Sequence, residues 1–232
     1  MPRPRPADIW FTDEPPRKPR LSRERIVRAA VELLDAEGVD GFSMRRLAAR
    51  LDAGAMSAYE YVRSREDVLD LAMDEVIAAI RTDEDGLPWR ALLSRQLHQS
   101  REMMKRHPWI PALMATRPLL GPHSLARSEL FYAALVRAGL DGPPLVAAVG
   151  TLTFYVQGFV ATENIWREWS GGKAGEADLR LRAQEFIDAR VESYPTLARQ
   201  AQLENDDFDG QFTRGLDIIL DGIESQLSRT GG

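Results

Sequence analysis

Cysteine is absent from the 232-residue chain. Its absence excludes disulfides and thiolate metal sites and suits a reducing cytosol. Histidine is scarce, and His98, His107 and His123 stand without metal-ligand spacing. There is no phosphate-cradling glycine loop and no nucleophile elbow. A helical enzyme acting on a small apolar substrate would therefore lack an identifiable acid–base pair or nucleophile. No metal and no cofactor is expected. Uninterrupted apolar runs are short, and none approaches the ~18–20 residues of a membrane span. The opening MPRPRPADIW is rich in proline and arginine where a secretory signal needs an apolar segment. The expectation is a cytoplasmic protein with no membrane association.

What is present is apolar material and unevenly spread charge. Hydrophobic residues make up 44% of the chain, enough for a sizeable core in one or two domains. Net charge is −5, yet residues 1–65 hold 13 Lys/Arg against 10 Asp/Glu, while the rest hold 17 against 25. A basic first quarter on an acidic body is a modest pointer to nucleic acid.

Residues 1–20 set Arg3, Arg5, Arg17, Lys18 and Arg20 among six prolines, which precludes a helix or a core. The segment reads either as a basic arm reaching into a DNA groove or as a solvated tail. Ser22 then caps a first helix whose Ile26, Ala29, Ala30, Leu33 and Leu34 share one face, with Gly38 placed to end it. Ser43 caps a second helix with Met44, Leu47, Ala48 and Leu51 inward and Arg45, Arg46 and Arg50 outward. Asp52-Ala53-Gly54 breaks the pattern, with Gly54 supplying conformational freedom. A short third helix, about Ala55 to Val62, turns Ala55, Ala58 and Val62 inward and Met56, Ser57, Glu60 and Tyr61 outward. Small inward residues allow the close crossing that a helix-turn-helix requires. Ser64 with Asp67 resembles a capping box for a fourth helix carrying Val68, Leu71, Ala72, Val76 and Ala79.

The body reads as helical throughout. Helices are expected over Trp89–Arg106, Ser124–Ala138, Leu145 to about Trp169, near Asp178–Ser193, and over a last segment holding Phe212, Leu216, Ile219, Leu220 and Ile223. Ser170–Gly175 reads as a flexible loop. The run Asn205-x-Asp207-x-Asp209-Gly210 imitates a calcium loop, but Leu216 stands where the twelfth-position glutamate belongs; it reads as the capped start of the last helix. The two helices at about 143–169 and 209–227 are more apolar than a domain of this size should leave on its surface. They form either a dimer interface or internal packing.

Residues 22–80 resemble the DNA-binding domain of the tetracycline-repressor (TetR) family of transcription regulators. The resemblance is carried by ERIVRAAVELLDAEGVDGFSMRRLAARL and then AYEYVRSREDVL. The family's C-terminal domain is resembled more loosely, through Trp89-Arg90, His107-Pro108-Trp109, Arg117-Pro118, LFYAALVRAGL and FDGQFTRGLDIILDGI. The resemblance implies an all-α chain with an N-terminal three-helix helix-turn-helix domain and a larger helical ligand-binding and dimerisation domain. It divides as an arm at 1–20, a DNA-binding domain at 21–66, a connecting helix at 67–82 and the body at 83–232. It further implies a homodimer on a palindromic double-stranded operator.

On this reading the family pattern makes Arg45 a base-reading arginine, which would grip guanine O6 and N7. Met56 suits a thymine methyl, and Ser57 a base or phosphate. Tyr59, Tyr61 and Arg65 match positions that hold the DNA backbone, although Tyr59 also reads as core. Glu60 either accepts from cytosine N4 or repels phosphate. The candidate effector pocket is Leu97, Arg101, Met104, Trp109, Met114, Phe131, Phe154, Tyr155, Gln157 and Trp166, an aromatic and methionine-rich set with a few polar groups. Tetracycline repressors place a metal–drug-binding histidine just before a Thr-Arg-Pro segment; Leu113 stands there, and Thr162 beside Glu163 falls near the acidic metal-assisting position. The expected effector is therefore a different apolar or polycyclic compound, which would release a repressor from its operator. The alternative is a constitutive DNA-binding dimer.

Overall fold

The computed structural model describes residues 21–82, 86–203 and 207–230. Among them all regular structure is helical, in eleven α-helices with no strand. The basic arm at 1–20 and Asn205 lie outside the described residues.

The head begins with α1 (Arg23–Gly41), where Ser22 Oγ accepts the Arg25 N–H at 3.3 Å. Ile26, Ala30, Leu33 and Leu34 are buried along its inner face. Gly38 sits at φ +67°, breaking the helix after Glu37, because a side chain resists that backbone state. Next come α2 (Met44–Arg50), α3 (Ala55–Ala58) and α4 (Arg65–Ala78). The left-handed residue between α2 and α3 is Asp52, at φ +49°, whereas Gly54 is extended. Aspartate tolerates that region through its short polar side chain, so the freedom assigned to Gly54 is not used there. The third helix stops at Ala58 rather than Val62. Ser64 must be extended to cap α4, so the chain leaves the helix through tight turns over 59–62.

The body comprises α5 (Trp89–Arg106), α6 (Ile110–Met114), α7 (Pro122–Arg137), α8 (Gly142–Ser170), α9 (Lys173–Asp188), α10 (Pro195–Gln200) and α11 (Phe208–Thr230). The expected loop at 170–175 shrinks to Gly171 and Gly172, both at positive φ, so α9 starts and ends about five residues earlier than expected. α10 opens on Pro195, a residue suited to a first turn. Asp207 Oδ1 accepts the Gly210 N–H at 2.5 Å, so this end of the calcium-like run caps α11.

One continuous apolar core joins head and body, from Ile26 on α1 to Ile223 on α11. α4 is the shared member: it packs on α1 and on α7, with further contact to α5. Ion pairs fasten the far side. The buried Arg101 of α5 bonds both Glu163 carboxylate oxygens on α8, at 2.8 and 2.9 Å, and reaches Asp209 of α11 at 2.7 Å. α8 differs from expectation. It is long and apolar enough to cross a membrane by length and composition, with mean hydropathy 1.5 over 18 residues. Its glycines, threonines and Gln157 interrupt the apolar run without adding charge. Only a third of that stretch is buried within the chain.

Candidate nucleic-acid interface and effector cavity

The three outward arginines of α2 have different fates. Arg46 pairs with Glu37 and donates to Gly41 O at 3.0 Å. Arg50 pairs with Glu32 at 3.1 Å. Both are tied to α1 or its end, whereas Arg45 is exposed and makes no hydrogen bond or ion pair with any described residue. Met56 is 78% exposed, and Tyr59 and Tyr61 are 43% and 38% exposed. Ser57 is half-buried, and Glu60 is exposed on the same segment. Inward, Ala58 is fully buried and Val62 nearly so, which lets α3 sit close on the core.

Arg65 is placed differently from the tyrosines. Its Nη2 donates to Val39 O at 3.2 Å, Nη1 meets Glu66 at 3.1 Å, and the guanidinium lies 5.5 Å from the Phe42 ring centre. It thus clamps the start of α4 onto the α1–α2 turn. Arg63, passed over in the sequence, is exposed near Tyr61; its alternation with Tyr59 and Tyr61 was the available signal. Ser64 Oγ accepts the Asp67 N–H at 3.0 Å, and Asp67 Oδ2 accepts the Arg63 N–H at 3.0 Å. The Ser64 hydroxyl, then the Arg63 N–H, holds the Asp67 carboxyl below its ordinary range.

Polar contacts among the described residues join head to body at several points. Asp35 Oδ1 on α1 lies 2.7 Å from both Trp109 Nε1 and His107 Nδ1. Arg117 bonds Asp70 at 2.8 Å and pairs with Glu66. Asp74 of α4 caps α7: its carboxylate accepts the His123 and Ser124 N–H groups at 3.2 and 2.9 Å, and the Ser124 hydroxyl at 2.8 Å. The N–H groups at a helix start lack intrahelical partners, so a residue of the connecting helix completes a helix of the body. Gly121 makes room for it, since a Cβ there would lie 2.2 Å from the Asp74 carboxylate.

A cavity of about 80 Å³ lies between α4, α5, α7 and α8. Leu97, Met104, Met114 and Phe131 line it, joined by Ile77 of α4. Ser100, Ser124, Arg127, Ser128 and Thr153 supply polar groups that the sequence reading missed. On α7 these recur at helical spacing with Phe131, a legible but ambiguous signal. Phe154 and Gln157, again with Met114, line an outer groove between α6 and α8, where Gln157 Nε2 donates to Pro111 O at 3.2 Å.

The other expected pocket residues sit elsewhere. Arg101 is locked in its ion pairs, and Trp109 in the contact with Asp35. Tyr155 donates to Phe212 O at 2.8 Å and stacks on that ring at 5.4 Å. Burial raises its phenol pKa, against the opposing charge of Arg101. Trp166 packs edge-on to Phe208 near Arg180. Leu113 is buried and lines neither hollow.

Residues 26–72 match the bacterial regulatory proteins of the tetR family, and residues 82–227 match the tetracyclin repressor-like C-terminal domain. An HTH-type transcriptional regulator of Saccharopolyspora erythraea is 41% identical over 94% of this chain and 92% of its own length. The HTH-type transcriptional repressor DrrR1 of Streptomyces coeruleorubidus is 34% identical over 97% and 86%. The structure of ActR from Streptomyces coelicolor in complex with actinorhodin superposes with a TM-score of 0.79 at 26% identity, covering 90% of this chain and 99% of ActR. With both matched regions in register along nearly the whole chain, the protein belongs to the tetR family of transcriptional regulators.

Proposed function

We propose that the protein is a homodimeric repressor that binds a palindromic operator and is released by a small apolar or polycyclic effector in the α4–α8 cavity. One observation carries this reading: α4, the helix leaving the DNA-facing head, is also a cavity wall through Ile77 and the cap of α7 through Asp74. An effector that displaces α7 or Ile77 acts on the helix that orients α2 and α3. Only an effector that binds the DNA-incompetent arrangement more tightly can release the operator. Two relatives support the reading: DrrR1 is named a transcriptional repressor, and the structure of ActR is of its complex with actinorhodin.

In this reading Arg45, Met56 and Ser57 face base edges, while Tyr59 and Tyr61 hold phosphates. Arg65 would contribute mainly by fixing α4. Dimerisation uses the unburied face of α8 with α11. Phe154 and Ile218 are each 72% exposed there, and apolar side chains this open call for a partner. Magnesium–tetracycline is not the effector, because Leu113 replaces the metal-binding histidine and Glu163 is engaged by Arg101 and Arg167. Such a regulator acts in the cytoplasm, with the genome.

Binding-site selection with the full chain, followed by effector screening on the selected duplex, tests the proposal. A selected palindrome and a compound that both raises the melting temperature and releases DNA are expected. DNA binding with no such compound across a broad polycyclic library would favour a constitutive regulator.

A further inference from the structure

Met114, the last residue of α6, lines both the inner cavity of about 80 Å³ and the outer groove of about 880 Å³. Sites for drug-sized ligands measure about 300–1,000 Å³. The cavity falls far below that range and the groove lies inside it, so a polycyclic ring system has room only in the groove. α8 serves as a wall of both: Thr153 and Val156 line the cavity, Phe154 and Gln157 the groove.

The groove is a slot because its facing walls carry small residues. Ala112 and Ala115 stand one turn apart at the end of α6, and Gly158 and Ala161 one turn apart on α8. Gly158 is the informative one. A glycine inside a helix is destabilising relative to alanine, yet a Cβ on Gly158 would meet nothing within 4 Å. Gly215, by contrast, is held to glycine by the Tyr155 ring. Packing within the chain therefore gives no reason for glycine at 158, and the space beside it is open to something from outside the chain. Two amides border the slot. Gln157 Nε2 donates to Pro111 O and Asn164 Nδ2 to Met104 O, each at 3.2 Å, which leaves the amide carbonyls as acceptors. Seven residues separate them, about 10 Å along α8. Lys105 and Arg167 also border the groove, but both turn to the Glu163 carboxylate, at 3.7 and 2.8 Å.

Resting on the effector reading above, we infer that the effector is a flat, neutral polycyclic compound with phenolic hydroxyls, and that its rings lie in the α6–α8 groove over Gly158. The hydroxyls donate to the Gln157 and Asn164 carbonyls. Only a short apolar substituent passes Met114 into the inner cavity. Met114 is unbranched and half-buried, so it can turn aside. Beyond it the substituent meets Ile77 of α4, which links a ligand in the groove to the connecting helix.

The test is calorimetric titration of the full chain with 2,6-dihydroxyanthraquinone and with its dimethyl ether, which has the same rings but no hydroxyl proton. The diol is expected to bind about tenfold tighter than the ether or better. Gly158→Leu fills the slot and should weaken the diol at least about tenfold, with melting temperature and oligomeric state retained. Ser128→Leu fills the inner cavity and should leave diol binding unchanged. Gly158→Ala is the milder variant: it should melt higher than the native protein and bind the diol more weakly, and it decides the matter if Gly158→Leu does not fold. Unchanged diol binding in the Gly158 variants overturns the placement and leaves the effector reading standing. Loss of binding together with a change of oligomeric state would give the space to a second copy of the chain and also overturn it. Equal binding of diol and ether overturns the hydroxyl assignment. Binding of neither probe overturns this inference alone, since the library screen above decides the effector reading separately.

Discussion

Arg45, Arg46 and Arg50 leave the same short helix, and their neighbours give them different tasks. Glu37 and Glu32 on α1 hold Arg46 and Arg50, leaving Arg45 without a partner among the described residues. Arg45→Ala is expected to cost about 1–3 kcal/mol on the selected operator and to relax specificity at one base pair. Fluorescence anisotropy on operators mutated one base pair at a time checks this; unchanged affinity for the selected operator would remove Arg45 from the reading set. Gly121 is a second decisive residue. Gly121→Ala drives a Cβ into the Asp74 carboxylate, so the cap of α7 must shift. Overpacking of this kind costs about 1–3 kcal/mol. Urea unfolding should show that loss, together with weaker operator binding if α7 and α4 are coupled as proposed.

Among the elements, α4 depends on its first turn. Ser64 and Asp67 exchange hydrogen bonds there, and Ser64→Ala is expected to cost about 1 kcal/mol of stability at neutral pH. Acid should narrow the difference, because the Ser64 bond to the Asp67 carboxylate titrates while the Asp67 N–H bond to the hydroxyl does not. The folded pKa of Asp67 is held below its ordinary value, so its stabilising contribution is complete above the ordinary carboxylate range. It is lost as pH falls through the lowered value. The gap between native protein and Ser64→Ala in denaturation curves should therefore narrow on acidification, and a constant gap at all pH values would assign the loss to the backbone cap alone. Helix starts were legible because Ser22, Ser43 and Ser64 cap through local bonds of three residues' span. The end of α3 and the limits of α9 were not. They depend on the extended backbone that Ser64 requires and on where the Gly171-Gly172 pair turns the chain.

At the scale of the molecule, much of the apolar surface of α8 is left uncovered within the chain. If the proposed dimer packs through α8, Phe154→Asp should convert it to a monomer in sedimentation velocity and lower operator affinity sharply, because one head would read only half of the proposed palindrome. A dimer that survives this change would place the interface elsewhere. Fold class, the helix-turn-helix and the exposure of Arg45, Met56, Tyr59 and Tyr61 were legible in sequence, since apolar periodicity and caps are local properties. The cavity was half legible. Leu97, Met104, Met114 and Phe131 meet in it, but Arg101, Trp109, Tyr155 and Trp166 are equally aromatic or polar and hold helices together instead.

The order of helices, their buried faces, the outward arginines and tyrosines and the absence of cysteine chemistry were determined by the sequence alone. They depend on spacing and residue type within a few turns. The tertiary structure decided which of the three α2 arginines has no partner among the described residues, which polar groups enter the cavity, and that Asp74 of the connecting helix caps a helix of the body. Those outcomes join residues about ten to sixty positions apart. Which long-range partner a side chain meets depends on how the helices cross, and no local pattern encodes that.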